Sequence, residues 1–424
     1  MQSLRRIVRQ RDQAGQEPCQ RLAPAGGGDQ QRVFSPPRRV QHGELVRPRR
    51  PAARGEPVGE TVGQGGHAPD MADLAKPAIR PHLPAMPPHP ETWLHPRPEG
   101  LHCVPGDFFI DPTRAVDRAV ITHGHADHAR PGHRHVLASA ETLAIMRVRM
   151  GEARAGAAQQ AAAPGEIVRI NGVGVSLVPA GHVLGSCQVV LDYEGSRAVV
   201  SGDYKRRRDP TCAPFVPVNC DVFVTEATFG LPVFRHPDAA AEIAKLLHSM
   251  TIFPTRAHLV GAYGLGKAQR LIALLREAGY DAPIYLHGAL QKLCDLYETL
   301  GVPLGDLRPA TVADKDALKG AIVLAPPSAV ADRWARRLDD PVVAVASGWM
   351  RVRQRAKASG VELPLVISDH ADWDELLATV EDVAAPEIWV THGAEAALLR
   401  QLSLMGRRGR ALSLIGYGDE AEQE

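Results

Sequence analysis

Three things are scarce in this 424-residue chain, and each absence excludes something. No apolar run approaches the ~20 residues that a membrane span needs, so a soluble protein with no membrane partner is expected. The six cysteines, Cys19, Cys103, Cys187, Cys212, Cys220 and Cys294, include no C-x-x-C pair. That argues against a disulfide framework or a thiolate zinc site and fits a reducing cytoplasm. Lysine is missing before Lys76: residues 1–70 carry twelve arginines, no lysine and seven acids. No apolar h-region follows these arginines, so a signal peptide is not expected.

Residues 1–85 are rich in Arg, Pro, Gly and Gln and show no hydrophobic periodicity. They cannot bury enough apolar surface to offset chain entropy and are expected to be a disordered extension. An arginine-only basic complement fits translated GC-rich upstream sequence with Met71 as the natural start; a basic nucleic-acid-binding tail is the other reading. Residues 71–424 hold 37 basic and 41 acidic side chains, a balance that neither requires nor forbids a nucleic-acid partner. The apolar share of 44% and charged share of 23% are those of an ordinary globular protein. The length exceeds a single core and predicts one large domain with an insertion, or two domains.

From about Gly100 short β-branched runs appear between turn residues: RAVITH, EIVRI, GVSLVPA, CQVVLDY, RAVVSGD and DVFVTEAT. They read as strands, with CQVVLDYEGSRAVVSGDY a hairpin turning at Glu194, Gly195 and Ser196. Further on, strand-like LVGAYG, PIYLHG, AIVLAPP and VVAVAS alternate with helical AQRLIALLREAG and ALQKLCDLYETLG, the rhythm of an α/β unit with parallel strands. Then come LPLVISDH, EIWVTHG and ALSLIGYG, separated by helical DWDELLATVEDV and EAALLRQLSLMG. No internal repeat is present.

The densest chemistry follows the apolar strand Ala119–Ile121. His123, His125, Asp127 and His128 crowd four nitrogen and oxygen donors into six positions, spaced by the small Gly124 and Ala126. Imidazole and carboxylate suit zinc, and a loop leaving a strand can turn alternate side chains toward two adjacent metal sites.

This H-x-H-x-D-H pattern resembles the metallo-β-lactamase superfamily. The superfamily's other motifs find matches in order: Asp111 in FIDP, His182 in AGHVLGS and Asp203 in VVSGDY. The resemblance implies an αββα sandwich in which His123, His125 and His182 hold a first zinc, Asp127 and His128 a second, and Asp203 bridges them. It places Asp111 behind the histidine loop, orienting it by hydrogen bonds. Two Zn²⁺, or Mn²⁺ in their place, would make hydroxide near neutral pH and clamp a phosphodiester.

The last histidines, His370 and His392, lie far beyond Asp203, after a long α/β stretch. This arrangement resembles the β-CASP nucleases, whose inserted domain caps the metal site. The implied layout is 86–230 for the first part of the metallo-β-lactamase domain, 231–353 for the insertion and 354–424 for completion. His392 in WVTHGAE would then complete the second zinc, while His370 in VISDHADW, held by Glu226 in VFVTEAT, protonates the leaving oxygen as general acid. Within that group, GLHCVPGDFFIDP, YGLGKAQR, SGWMRVR and SDHADWDEL are similar to bacterial ligase-associated DNA exonucleases. DNA would be the substrate, with an ATP-dependent DNA ligase and a helicase as partners in repair. An RNA-processing nuclease with the same centre is the alternative, favoured by the histidine at 392. A thioesterase or lactonase acting on small molecules stands further off, because of the inserted stretch.

Two segments stay open. GAYGLGKA, 261–268, has the glycine spacing of a P-loop, but Ala268 replaces the hydroxyl that would bind Mg²⁺, which excludes an ATPase. Lys267 and the backbone there can meet a nucleic-acid phosphate, or the segment is a plain strand-to-helix turn with an exposed lysine. Trp349, Arg351 and Arg353 offer stacking and phosphate contacts, or else ordinary packing and a solvated face. His102 and Cys103 receive no role.

Overall fold

The computed structural model describes residues 86–358 and 360–412, and the disordered extension expected over 1–85 lies outside them. Three six- or seven-stranded sheets organise the described residues. The first takes β1 (Leu94–Arg97), β2 (Gly100–Cys103), β3 (Phe108–Ile110), β4 (Arg118–Val120), β5 (His135–Ala138) and β6 (Ala158–Ala161) in sequence order, antiparallel to β3 and parallel from there on. The second opens with β7 (Ile167–Ile170), β8 (Val173–Pro179), β9 (Cys187–Tyr193), β10 (Ser196–Val200) and β11 (Val222–Ala227). The chain then leaves it for a third sheet of β12 (His258–Gly261), β13 (Ile284–Leu286), β14 (Leu307–Pro309), β15 (Ile322–Ala325), β16 (Val342–Ala346) and β17 (Leu363–Leu365), all parallel in the order β14-β13-β15-β12-β16-β17. It returns as β18 (Glu387–Gly393) and β19 (Arg408–Ala411), which extend the second sheet beyond β11. Helices are α1 (Ala140–Met150), α2 (Ala239–Ile252), α3 (Lys267–Glu277), α4 (Gly288–Thr299), the short α5 (Pro327–Val330) and α6 (Arg353–Ala358), α7 (Trp373–Val383) and α8 (Glu395–Leu404).

Period-two alternation in the second sheet builds the layers. Val175 and Leu177 of β8, Val189 and Leu191 of β9, Val224 of β11 and Trp389 of β18 meet Leu101, Phe108, Ile110 and Val120 of the first sheet in one core. Their alternates Val190, Val199, Phe223, Ile388 and Val390 face the other way, onto α7 and α8 through Val380, Val383, Leu398 and Leu402. The outer face of the first sheet packs Ala119 and Val136 on Leu143 and Met146 of α1. The result is helix, sheet, sheet, helix, the expected αββα sandwich, with an α/β unit between β11 and β18. In that unit α2, α3 and α4 cover one face of the third sheet through Leu246, Leu271, Leu275 and Leu290.

The expected hairpin forms with a tighter turn: Tyr193 pairs with Ser196, so only Glu194 (φ 46°) and Gly195 (φ 85°) lie between the strands. Two successive positive φ values match the right-handed twist of the flanking strands. The strand expected in ALSLIGYG instead covers Arg408–Ala411, and residues from 413 lie outside those described. The third sheet runs past residue 353, because Leu363–Leu365 pairs with β16. No helix among the described residues is long and apolar enough to cross a membrane.

Topology sets the edge where side chains gather. β8 and β10 both run antiparallel to β9, and β10, β11 and β18 are parallel. The C-terminal ends of β8, β10, β11 and β18 therefore share one edge. Beneath it, Glu375 of α7 holds the loop after β10. Its carboxylate accepts from Lys205 Nζ (2.7 Å) and from the backbone N–H groups of Arg206 (3.1 Å), Arg207 (2.7 Å) and Asp372 (3.0 Å). Burial would raise this carboxyl, but Lys205 and the backbone donors hold it down at about 2. Burial also pulls the Lys205 ammonium down; with four donors on one carboxylate, the ion pair is the neutral-pH state.

A carboxyl held below its unfolded value stabilises the fold above that value and loses the contribution as pH falls toward its folded value. Glu375→Gln is therefore expected to cost about 3 kcal/mol at pH 7. The gap to wild type in urea unfolding should narrow as pH drops below 4.5; a gap independent of pH would rule out this role.

Candidate metal centre

Asp111 follows β3 with φ 43°, a left-handed turn that an aspartate tolerates. Its carboxylate accepts from Thr122 N (2.8 Å), Thr122 Oγ1 (2.5 Å) and His128 Nδ1 (2.8 Å). One side chain thus fixes the start and the end of the histidine loop. A Cβ at Gly124 would lie 2.5 Å from Ile145 Cγ2, so the loop passes α1 only with glycine there.

Each imidazole is oriented through the nitrogen that does not face the centre. Thr122 Oγ1 donates to Asp111, so it accepts from His123 Nδ1 at 3.0 Å. His125 Nε2 donates to the Leu265 carbonyl (3.1 Å), and His182 Nδ1 to the Asp369 carbonyl (2.9 Å). The inward nitrogens of these three rings therefore carry lone pairs. They converge: His125 Nδ1 lies 3.2 Å from His123 Nε2 and 3.0 Å from His182 Nε2, with Asp203 Oδ2 3.5 and 3.8 Å from those two. Lone pairs this close repel unless a cation stands among them. Tetrahedral ligation at zinc–nitrogen distances spaces donors by about 3.3 Å, so the donor set fits the metal.

Asp203 also faces a second group. Its Oδ2 is 3.3 Å from His128 Nε2 and its Oδ1 is 3.5 Å from His392 Nε2, while Asp127 Oδ2 is 3.7 Å from His128 Nε2. His392 Nδ1 is anchored on Thr391 Oγ1 at 2.8 Å. Burial pushes His123 well below the usual histidine range, with His128 adding to the effect. Burial works against charge on His128 and His392 too, yet Asp203 carries both above that range. Asp203 stays well below the usual carboxylate range despite its burial, held there by His128 and His370. This carboxylate draws positive charge from both sides.

His370 stands beside the first group, its ring 4.6 Å from that of His182. Its Nδ1 is 2.9 Å from Glu226 Oε2, and Glu226 Oε1 accepts from Tyr204 N at 2.9 Å. The structure thus gathers His123, His125, Asp127, His128, His182, Asp203, His392, His370, Glu226 and Asp111 at one edge.

The phosphate candidates are placed otherwise. Lys267 is 1% exposed and its Nζ lies 3.5 Å from Asp369 Oδ1, so the lysine expected at the surface is an internal counterion. Arg351 and Arg353 are exposed. Trp349 is half-buried against Phe229 (4.9 Å) and Phe234 (5.0 Å), and it is Arg355, unremarked in the sequence, that covers its ring at 4.4 Å. Sequence reasoning also missed Thr122, Lys205 and the carbonyls of Leu265 and Asp369. The carbonyls have no side-chain signature to find.

No family model matches the chain. A probable DNA ligase of Opitutus terrae is 29% identical over 330 residues, 77% of this chain and 31% of that one. An endoribonuclease of Mycosarcoma maydis is 28% identical over 253 residues, 49% of this chain and 28% of that one. The chain thus spans about a third or less of these two relatives. A ribonuclease of Thermus thermophilus is 24% identical over 387 residues, 74% of this chain and 89% of its own length. Likeness across three quarters of the sequence agrees with a sandwich interrupted by a parallel sheet, the arrangement that the resemblance to the β-CASP group of the metallo-β-lactamase superfamily implies.

Proposed function

We propose that the chain is a zinc-dependent nuclease that hydrolyses phosphodiester bonds, acting on DNA ends as an exonuclease in repair beside a ligase and a helicase. The observation that carries the metal reading is the convergence of three oriented imidazole lone pairs on Asp203. His123, His125 and His182 would hold one zinc; Asp127, His128 and His392 the other; Asp203 faces both. Mn²⁺ is the alternative ion. Divalent cations bound there supply a Lewis acid that lowers the pKa of water and neutralises a phosphodiester.

The chain's own residues do the rest. His370, its Nδ1–H donated to Glu226, is held in place to give a proton to the leaving oxygen. Asp111 and Thr122 keep His128 and His123 in the tautomers that present lone pairs inward. Trp349, covered by Arg355, and the exposed Arg351 and Arg353 nearby in the chain offer stacking and phosphate contacts that tolerate any sequence. The DNA reading leans on the probable DNA ligase relative. RNA is the second reading, favoured by the ribonuclease that matches over most of its own length.

Asp203→Asn is expected to lose bound zinc, measured by elemental analysis, and all cleavage with it. His370→Ala should keep its zinc and lose about 10²–10⁴-fold in turnover; a sharp fall of zinc in this variant but not in His392→Ala would exchange the two roles. End-labelled single-stranded DNA, duplex DNA and RNA, each with and without chelator, decide the substrate: RNA cleaved in preference to DNA would overturn the exonuclease assignment.

A further inference from the structure

The glycine-rich turn that leaves β12 touches the centre at three consecutive residues. The Leu265 carbonyl accepts from His125 Nε2. Gly266, at φ +85°, packs where a Cβ would run into Val183, the neighbour of His182, and would come within 3.5 Å of Asp369 Oδ2. Lys267 opens α3 with its ammonium 3.5 Å from Asp369 Oδ1 and 5.9 Å from the centre of the Tyr263 ring. That ring meets His125 at 5.4 Å. Asp369 is wholly buried, its carbonyl accepts from His182 Nδ1 at 2.9 Å, and His370 comes next in the chain.

A carboxylate removed from water must have a cation beside it, or it takes up a proton or moves. Lysine gains nothing from the N-terminus of a helix, where the dipole favours anions. Dipole and ammonium together address the charge of Asp369. We infer that Lys267 is a positioning residue of the metal centre: it holds Asp369, and Asp369 sets the ring of His182 and the start of the turn that carries His370. The inference rests on the reading of the centre as a zinc site.

Without the ammonium, segment 368–370 relaxes, the hydrogen bond on His182 Nδ1 weakens, and the ring loses its tautomer and orientation. Losses of this kind weaken metal affinity by about 10–100-fold.

The test uses the full chain loaded with zinc alone, titrated against a chromogenic chelator, with thermal unfolding and steady-state hydrolysis of bis(4-nitrophenyl) phosphate. Lys267→Met is expected to hold zinc about 10–100-fold more weakly, with kcat falling and KM little changed. Lys267→Arg should restore most zinc retention. Lys267→Met combined with Asp369→Asn removes both charges and should recover the thermal stability and zinc retention that Lys267→Met alone loses. If Lys267→Met does not fold, the double variant decides alone: retention near wild type supports the inference, and loss overturns it. Wild-type zinc retention in Lys267→Met overturns it, and so does a rise in KM with retention intact, which would put the ammonium on the substrate. A wild-type chain that binds no zinc defeats the reading of the centre too, which separates the two failures.

Discussion

Everything at this edge depends on hydrogen bonds made on the far side of the rings. An imidazole has two nitrogens, and only when one of them donates to a fixed oxygen does the other present a lone pair in a fixed direction. Thr122, Leu265 and Asp369 supply those oxygens for His123, His125 and His182, and Asp111 does so for His128. Two of the four are backbone carbonyls, one from the turn after β12 and one from the loop after β17. Neither lies near its histidine in sequence: 140 positions separate His125 from Leu265, and 187 separate His182 from Asp369.

The sandwich explains why distant residues meet. Parallel β10, β11 and β18 deliver Asp203, Glu226 and His392 to one end of the second sheet, and β8, running the same way, brings His182. The first sheet contributes Asp111 and the histidine loop from its parallel neighbours β3 and β4. Open parallel sheets place their working loops at the carboxyl ends of strands because successive loops converge there. Here two sheets do so against the same core, which keeps the donors rigid while they stay reachable from the third sheet's turn.

Much of this was legible. H-x-H-x-D-H, His182, Asp203 and His392 are side chains at strand ends, and the β-branched runs that precede them alternate clearly enough to locate the strands. The first-sheet strands were harder: Leu94–Arg97 contains a histidine, a proline and an arginine, and Ala158–Ala161 holds two glutamines, so neither carries a hydrophobic pattern. Lys267 misled for a different reason. Glycine spacing that lets a backbone approach a phosphate equally lets it approach another part of the protein, and only burial distinguishes them. Arg355 was passed over for Arg351 and Arg353 because a 3₁₀ turn over Gly348–Arg351, followed by α6, decides which guanidinium reaches Trp349, and periodicity alone does not show such a turn.

The position of β18 has a bearing on biosynthesis. It lies inside the second sheet, between β11 and β19, though it is made after the whole third sheet. A ribosome that has released β11 leaves that strand's edge unpaired through the synthesis of well over a hundred further residues, and an open edge of this kind invites pairing with other chains. Closure waits for β18, so a nascent chain cannot bring all these donors together until His392 has been made, and a chain that stops before it would leave a sticky fragment lacking that histidine.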